Sequence, residues 1–223
     1  MDRAGSARAR IFTTMADFYL ASHSARRREL LRQIGARFET LLLRSASPRG
    51  PDISESQREG EPAADYVVRV AREKAEHGVQ ALASRSLLLK PVLGADTVVI
   101  VDGDILPKPL DAQQAARFLE RLSGRSHEVR TAVALALPRP ASDRHQGIAI
   151  AVSVTQVTMR TLDALEIQNY CASGEPLDKA GGYAIQGRAA IFIERIEGSY
   201  SGVVGLPLAE TASLLARAGV RLL

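Results

Sequence analysis

Tryptophan is absent from this 223-residue sequence, and aromatic residues make up only 4% of it. A nucleic-acid surface built by stacking bases on aromatic rings between basic side chains therefore has little to stand on, despite a net charge of +4. Part of that charge sits in the first ten residues, as Arg3, Arg8 and Arg10 against Asp2, and a modest basic excess equally suits a phosphate-rich small ligand. Cysteine occurs once, at Cys171. No internal disulfide can form and no zinc-ligand spacing exists, so a reducing, cytoplasmic compartment is expected. No apolar run approaches the ~18 residues that a membrane span needs, which argues for a soluble protein with no membrane partner. Lysine is scarce as well: of 29 basic residues only Lys74, Lys90, Lys108 and Lys179 are lysines. In so arginine-biased a chain, a lysine marks a place where a compact ammonium is wanted. Neither G-x-G-x-x-G nor G-x-x-x-x-G-K-[ST] occurs, which removes the usual dinucleotide and P-loop explanations. No fixed-period repeat is present, which excludes solenoids and propellers.

What is present is the composition of a globular domain, 46% hydrophobic and 24% charged, long enough to bury a core. Residues 1–17 lack periodicity and are expected to be a disordered extension; an organellar presequence is the sharper alternative, and an internal start at Met15 would leave the fold intact. Residues 18–223 are expected to form a single domain. A short apolar run from Phe18 to Ala21 leads into a helix over 25–34, with Ser24 as cap and Gly35 as stop. Residues 44–60 are polar and read as a loop. Ala63, Tyr66, Val67, Val70, Ala71 and Gly78 recur at helical spacing, and Lys74 falls on the same inward face. Val92–Val101 and Ile105–Leu106 flank an Asp102-Gly103 turn and predict a hairpin. A helix over 111–122, with Ala112, Ala115, Ala116, Leu119 and Leu122 inward, precedes strands at 127–137 and 148–161. A helix at 163–171, a glycine-rich loop at 173–187, a strand at 188–196 and a helix from Leu208 complete the chain. The hairpins demand antiparallel pairs, so the sheet is expected to be mixed, in an α/β fold.

Several residues look chemical. Ser22-His23-Ser24-Ala25-Arg26-Arg27-Arg28 joins a strand end to a helix start, where free N–H groups and the dipole favour an anion. Arginines there oppose the dipole unless a polyphosphate cancels the conflict. At ~100° per residue Arg26 and Arg27 share the helix mouth and Arg28 points away; the bland alternative is a solvated basic turn. Asp96 lies on an apolar strand face with Val92, Val98 and Ile100, a placement that costs several kcal/mol, of the order ~2–7, unless a cation or metal meets it; capping a neighbouring loop is the alternative. Lys74 could simply snorkel. Lys108, between Pro107 and Pro109, suits a pre-positioned phosphate contact or a rigid surface loop. Lys179 and Gln186 lie in a glycine-rich stretch where Gln186 offers donor and acceptor to a pyrimidine edge. His23, His77, His127 and His145 show no mutual spacing and read as structural or surface residues.

Taken together, Leu20-Ala-Ser-x-Ser-x-Arg-Arg, Gly94-Ala-Asp-Thr-Val-Val, Lys108-Pro109, Leu122-Ser-Gly-Arg-x-His-Glu-Val and Lys179-Ala-Gly-Gly-Tyr-x-Ile-Gln-Gly resemble the Maf family from Phe18 to the C-terminus. That family was first tied to inhibition of septum formation, and its members act as nucleotide pyrophosphatases. The resemblance implies an elongated mixed sheet with flanking helices in two lobes around a cleft, similar to inosine triphosphate pyrophosphatases. The Ala-Asp-Thr and Ile-Gln-Gly versions resemble the branch that prefers dTTP and UTP. By that match Asp96 is the proton acceptor, Arg26, Thr97 and Gln186 set base preference, and Lys74 and Lys108 contact phosphates. Glu55, in Asp52-Ile53-Ser54-Glu55, matches the acidic motif that helps to hold a divalent cation, Mg2+ or Mn2+ with Co2+ as a further option. Ala25 stands where the family usually has proline, and the loops at 44–51 and 138–147 are enlarged, which puts loop geometry in question rather than activity.

Hydrolysis between the α- and β-phosphates needs charge neutralisation, a positioned water and a base. Ser22, Arg26, Arg27, Lys74, Thr97, Lys108, Lys179 and Gln186 are the candidate substrate contacts, with Asp96 catalytic and Asp96 and Glu55 at the metal. Base catalysis and metal ligation by Asp96 are not separable at this level. The rival is a nucleotide- or nucleic-acid-binding regulator of cell division without turnover. A purely structural protein leaves Asp96 unexplained. The sequence leaves room for a homodimer.

Overall fold

The computed structural model describes residues 16–44, 52–138 and 147–222. Residues 1–15 of the N-terminal extension, and all but the ends of the two enlarged loops, lie outside the described residues. Ala16 is buried, and the Asp17 amide donates to Arg37 O at 2.8 Å.

The chain begins as the pattern predicts. Strand β1 (Phe18–Leu20) is wholly buried. Ser24 then caps helix α1 (Ala25–Gln33), its hydroxyl accepting from the Arg27 amide at 3.3 Å, and Gly35 follows at φ +69. Strand β2 (Phe38–Thr40) was not foreseen; three residues at a sheet edge, two of them exposed, are too few to show a period. Helix α2 (Ala63–Ser84) buries Val67, Val70, Ala71, Lys74, Ala75, Gly78 and Leu82. Strands β3 (Val92–Val101) and β4 (Asp104–Leu106) form the expected hairpin, and both turn residues, Asp102 and Gly103, have positive φ, as a tight type I′ reversal requires.

Helix α3 (Ala112–Leu122) is capped by Asp111, but its buried face holds Ala115, Phe118, Leu119 and Leu122, while Ala112 is exposed in the first turn. Strands β5 (Ser126–Ala136) and β6 (Ile148–Met159) and helix α4 (Ala164–Ala172) follow. The strand expected over 188–196 is shorter: a 3-10 turn takes Arg188–Phe192, and β7 covers Ile193–Glu197. Glu175 accepts from the Arg188 amide at 3.1 Å and fills the space above Gly187, which holds that backbone in a turn. Helices α5 (Tyr200–Val204) and α6 (Leu208–Arg217) close the chain; α5 is too short to announce itself by periodicity.

The strands form one mixed sheet in the order β2-β1-β3-β5-β6-β7, with β4 also on β3. β1 is parallel to β2 and β3, and the β3-β5-β6-β7 ladder is antiparallel. Because side chains alternate across a strand, the two faces have different cover. On one face Val98, Ala132, Ala134 and Ala136 pack against Val67, Ala71 and Ala75 of α2. On the other face, Leu93, Ala95, Val133 and Leu135 meet Leu30 and Leu31 of α1 and Leu214 and Leu215 of α6. Further along that face, Val99, Val101 and Val129 meet Leu119 and Leu122 of α3 and Ile167 of α4. Thr97 lies on β3 between these two clusters. No helix among the described residues is long and apolar enough to cross a membrane.

Candidate active site

The pairing of β1 with β3 ends at Leu20↔Leu93, and that of β4 with β3 begins only at Val99↔Leu106. Between them the middle of β3 has β5 as its strand partner on one side and, among the described residues, no partner strand on the other. This notch in the sheet is where the candidate residues gather. Asp96 sits within it, 9% exposed, on the face covered by α2.

Helix α2 comes unusually close to β3 there. A Cβ on Gly94 would stand 2.5 Å from Ala71 O and 2.7 Å from the Ala75 amide nitrogen, so only glycine permits the approach. Lys74, on that closest turn, is 8% exposed. It does not snorkel: its Nζ donates to Asp96 Oδ1 at 2.9 Å and lies 3.0 Å from Glu55 Oε1. The buried carboxylate thus has the cation that its placement demanded, and removing either partner of such a pair costs roughly 3–5 kcal/mol. Glu55 is half-exposed and comes from the polar segment before α2. Partial burial pushes its carboxyl up, but Lys74 outweighs this with help from Lys108 and Arg27, and holds it below its ordinary value.

The two arginines at the mouth of α1 part company. Arg27 is buried, and its guanidinium donates from Nε to Gly205 O at 2.8 Å and from Nη1 to Ala95 O at 2.8 Å and Ser22 Oγ at 3.2 Å. Its Nη2 donates to Thr97 Oγ1 at 3.1 Å. Four of its five N–H donors are therefore committed to protein, and it ties α1, β3 and the end of α5 together. Burial lowers its pKa, opposed by the fields of Asp96 and Glu55. The local conflict between a cation and the dipole at α1 is thus met largely by protein carbonyls and carboxylates, without a ligand. Thr97 belongs to the same network: Thr131 Oγ1 lies 2.9 Å from Thr97 Oγ1 and 2.7 Å from Gly202 O. Ser22 Oγ also accepts from the Ser24 amide at 3.2 Å.

Arg26 is only half-buried and has no hydrogen-bond partner among the described residues. Burial lowers its pKa, and the fields of Asp178 and Glu175, two carboxylates of the 173–187 loop, act the other way. Arg28 folds back onto His23 O at 3.0 Å, away from the mouth as its helical position requires. The loop itself is a series of 3-10 turns, Glu175–Asp178 and Ala180–Gly182. Gly181, at φ +69, lies so near Val99 that a Cβ would stand 2.9 Å from that side chain, and its amide donates to Pro107 O at 3.1 Å. This anchors Lys179 and the exposed Gln186 beside the Pro107-Lys108-Pro109 segment. Lys179 pairs with Asp178, and the exposed Lys108 acts on Glu55 through space. Neither Lys179 nor Gln186 touches the Asp96–Lys74–Glu55 cluster directly among the described contacts.

Sequence reasoning passed over two participants. Thr131 and the Gly205 carbonyl complete the Arg27 network; a carbonyl has no side-chain signature, and an ordinary strand threonine carries none either. His127, read as structural or surface, is 2% exposed, and its Nε2 lies 2.6 Å from Tyr183 Oη. That pair fastens the 173–187 loop to β5. Burial drives the His127 pKa down to about 4, and His127 Nδ1 has no partner among the described residues.

Residues 17–218 match the model of the family described as Maf-like protein. The chain belongs to the Maf family. Curated Maf relatives are similar over nearly its whole length. A protein of Bordetella parapertussis is 54% identical over 91% of this chain and 92% of its own. One of Salmonella typhimurium is 53% identical over 90% and 92%, and one of Aromatoleum aromaticum 52% identical over 90% and 94%. All three are named dTTP/UTP pyrophosphatase. Among solved structures, a HAM1 protein from Coxiella burnetii is similar over 92% of this Maf chain and 100% of its own, at 18% identity and a TM-score of 0.46, a likeness too loose to bear on the chemistry.

Proposed function

We propose that this Maf protein is a nucleoside triphosphate diphosphatase that converts dTTP, UTP or a close relative to the monophosphate and pyrophosphate. The observation that carries the reading is the notch in the sheet. There one buried ammonium, Lys74, joins two carboxylates, Asp96 and Glu55, directly beside the cationic mouth of α1. The names of the relatives supply the substrate class. The reading takes residues 18–223 as one catalytic domain working in a reducing cytoplasm.

The donor set fits a hard divalent cation. Two carboxylates converge on Lys74, which already stands there in the place of a cation, and such oxygen donors suit a hard metal; among the described residues no third histidine, cysteine or carboxylate joins them to make a complete ligand group. Asp96 and Glu55 would hold Mg2+, Mn2+ or Co2+, which supplies charge neutralisation at the phosphates. The chain's own groups do the rest. Asp96 gives Oδ1 to Lys74 and leaves Oδ2 without a protein donor among the described residues, so Oδ2 orients the attacking water and takes its proton as the water oxygen bonds to the α-phosphorus. The bond from that phosphorus to the bridging oxygen breaks, and pyrophosphate leaves with the electron pair. Arg26 and Lys108, the half-buried and exposed cations beside the cluster, neutralise the triphosphate. Arg27 and Ser22 hold the mouth of α1 in shape, and Thr97, locked to Arg27, fixes the floor on which the base rests. Gln186 reads the base edge, and Lys179 closes the loop above it.

Asp96→Asn tests this. Pyrophosphate release from dTTP with Mg2+ falls by about 10²–10⁴-fold in the folded variant; retained turnover removes Asp96 from its role.

A further inference from the structure

The half-exposed Glu55 arrives from a segment without helix or strand, yet its carboxylate reaches a buried ammonium at 3.0 Å. Something must hold that turn. Three consecutive backbone carbonyls around it are taken by two side chains of α2: Arg69 Nη1 donates to Ser54 O at 3.3 Å, Tyr66 Oη to Glu55 O at 2.8 Å, and Arg69 Nη2 to Ser56 O at 3.0 Å. Tyr66 and Arg69 stand three residues apart and so share a helix face, with the guanidinium over the Tyr66 ring at 5.4 Å.

The remaining donors of Arg69 are spent as well. Nε and Nη2 grip Glu61 at 2.6 and 2.9 Å, and Nη1 reaches Glu73 at 3.2 Å. All five guanidinium N–H groups are engaged, and both Arg69 and Glu61 are nearly buried, their side chains 12% and 10% exposed. Glu61 in turn closes the far end of the segment, accepting from the Arg58 amide at 3.0 Å, and its carbonyl accepts from Gln57 at 2.6 Å. A lysine has three donors and no planar fork, and could not make this set. Helix α2 therefore carries the latch about one to two turns before Lys74, the group that the latched turn must meet.

We propose that Tyr66 and Arg69 are positioning residues that hold the 54–56 turn so that Glu55 is presented to Lys74 and Asp96. Neither side chain touches the reacting atoms. The inference rests on the reading of Glu55 given above. Supporting residues behind metal-binding carboxylates typically act by about 10–100-fold on affinity or rate, and this latch acts through Glu55 alone.

Full-length wild type, Tyr66→Phe, Arg69→Lys, Glu55→Gln and the Arg69→Lys/Glu55→Gln double variant are compared in two ways: dTTP turnover with Mg2+, and Mn2+ titration of the nucleotide-free protein followed by electron paramagnetic resonance. Arg69→Lys lowers kcat and weakens Mn2+ binding by about 10–100-fold, with KM for dTTP little changed. Tyr66→Phe, which removes one oxygen and keeps the ring, moves the same two quantities by a smaller factor and carries the test if Arg69→Lys does not fold. In the Glu55→Gln background Arg69→Lys adds nothing. Unchanged kcat and Mn2+ affinity in both latch variants, or full additivity in the double variant, overturns the latch while the assignment of Glu55 stands. A Glu55→Gln variant that matches wild type in both measurements overturns the latch and that assignment together.

Discussion

Gly94→Ala is the smallest change that should separate helix α2 from the carboxylate it serves. The added Cβ would meet Ala71 O at 2.5 Å, the Ala75 amide nitrogen at 2.7 Å and Lys74 Cβ at 3.0 Å, against an ordinary contact of at least about 3.4 Å. Two of those atoms are helix backbone and cannot swing aside, so α2 must move out by about 1 Å. Lys74 Nζ, 2.9 Å from Asp96, is then drawn up to about 1 Å further off, past the roughly 3.5 Å at which a hydrogen bond survives. Overpacking of this kind costs about 1–3 kcal/mol, which in a domain of this size lowers Tm by roughly 2–12 °C. A misplacement of about 1 Å can cost about 10²-fold in rate. The assay is pyrophosphate release from dTTP together with a thermal melt. Gly78→Ala is the control, because there the first clash, at 2.5 Å, is with the Val92 side chain, one turn beyond Lys74; it should lose stability with much less loss of kcat. If Gly94→Ala turns over dTTP within about twofold of wild type, the close approach of α2 does not set the site, and the reasoning fails.

Arg26 and Arg27 should separate by assay: Arg27→Lys loses up to four protein hydrogen bonds and should lower Tm clearly, at about 1–3 kcal/mol for each buried group left unpaired. Arg26→Lys should leave Tm in place and raise KM for dTTP; equal melts for the two variants would contradict the division drawn between them. The His127–Tyr183 pair predicts a pH limb. With the folded pKa of His127 at about 4 against 6.5, the unfolded chain binds the extra proton between those values. Stability is therefore fully present above pH 6.5 and is lost as pH falls towards 4, by up to about 3 kcal/mol. Glu61 and Glu166, held down at about 2, act in a lower window, from their ordinary 4.5 downwards. Denaturant midpoints measured between pH 6.5 and 5 should fall in wild type and stay level in a His127→Phe/Tyr183→Phe double variant, where both polar partners are gone together; a slope that persists would exclude His127 as its source.

The sequence by itself determined most of the elements and pointed to the chemistry. Ser24 and Gly35 delimit α1, the Asp102-Gly103 pair sets the β3–β4 reversal, and the period-3.6 stripe of α2 put Lys74 inward; each is a local property of backbone dihedrals, capping or periodicity. The anomaly of a carboxylate among apolar strand residues singled out Asp96 before any contact was known, because the cost of burying a charge does not depend on which partner offsets it. Which partner it would be was a tertiary matter. Lys74 is 22 residues away, and its meeting with Asp96 depends on Gly94 letting a helix approach a strand. The division between Arg26 and Arg27 was invisible for the same reason. Neighbours on one helix turn have nearly the same local prospects, and only the carbonyls of Ala95 and Gly205, brought from β3 and the end of α5, made one of them structural and left the other for the cleft.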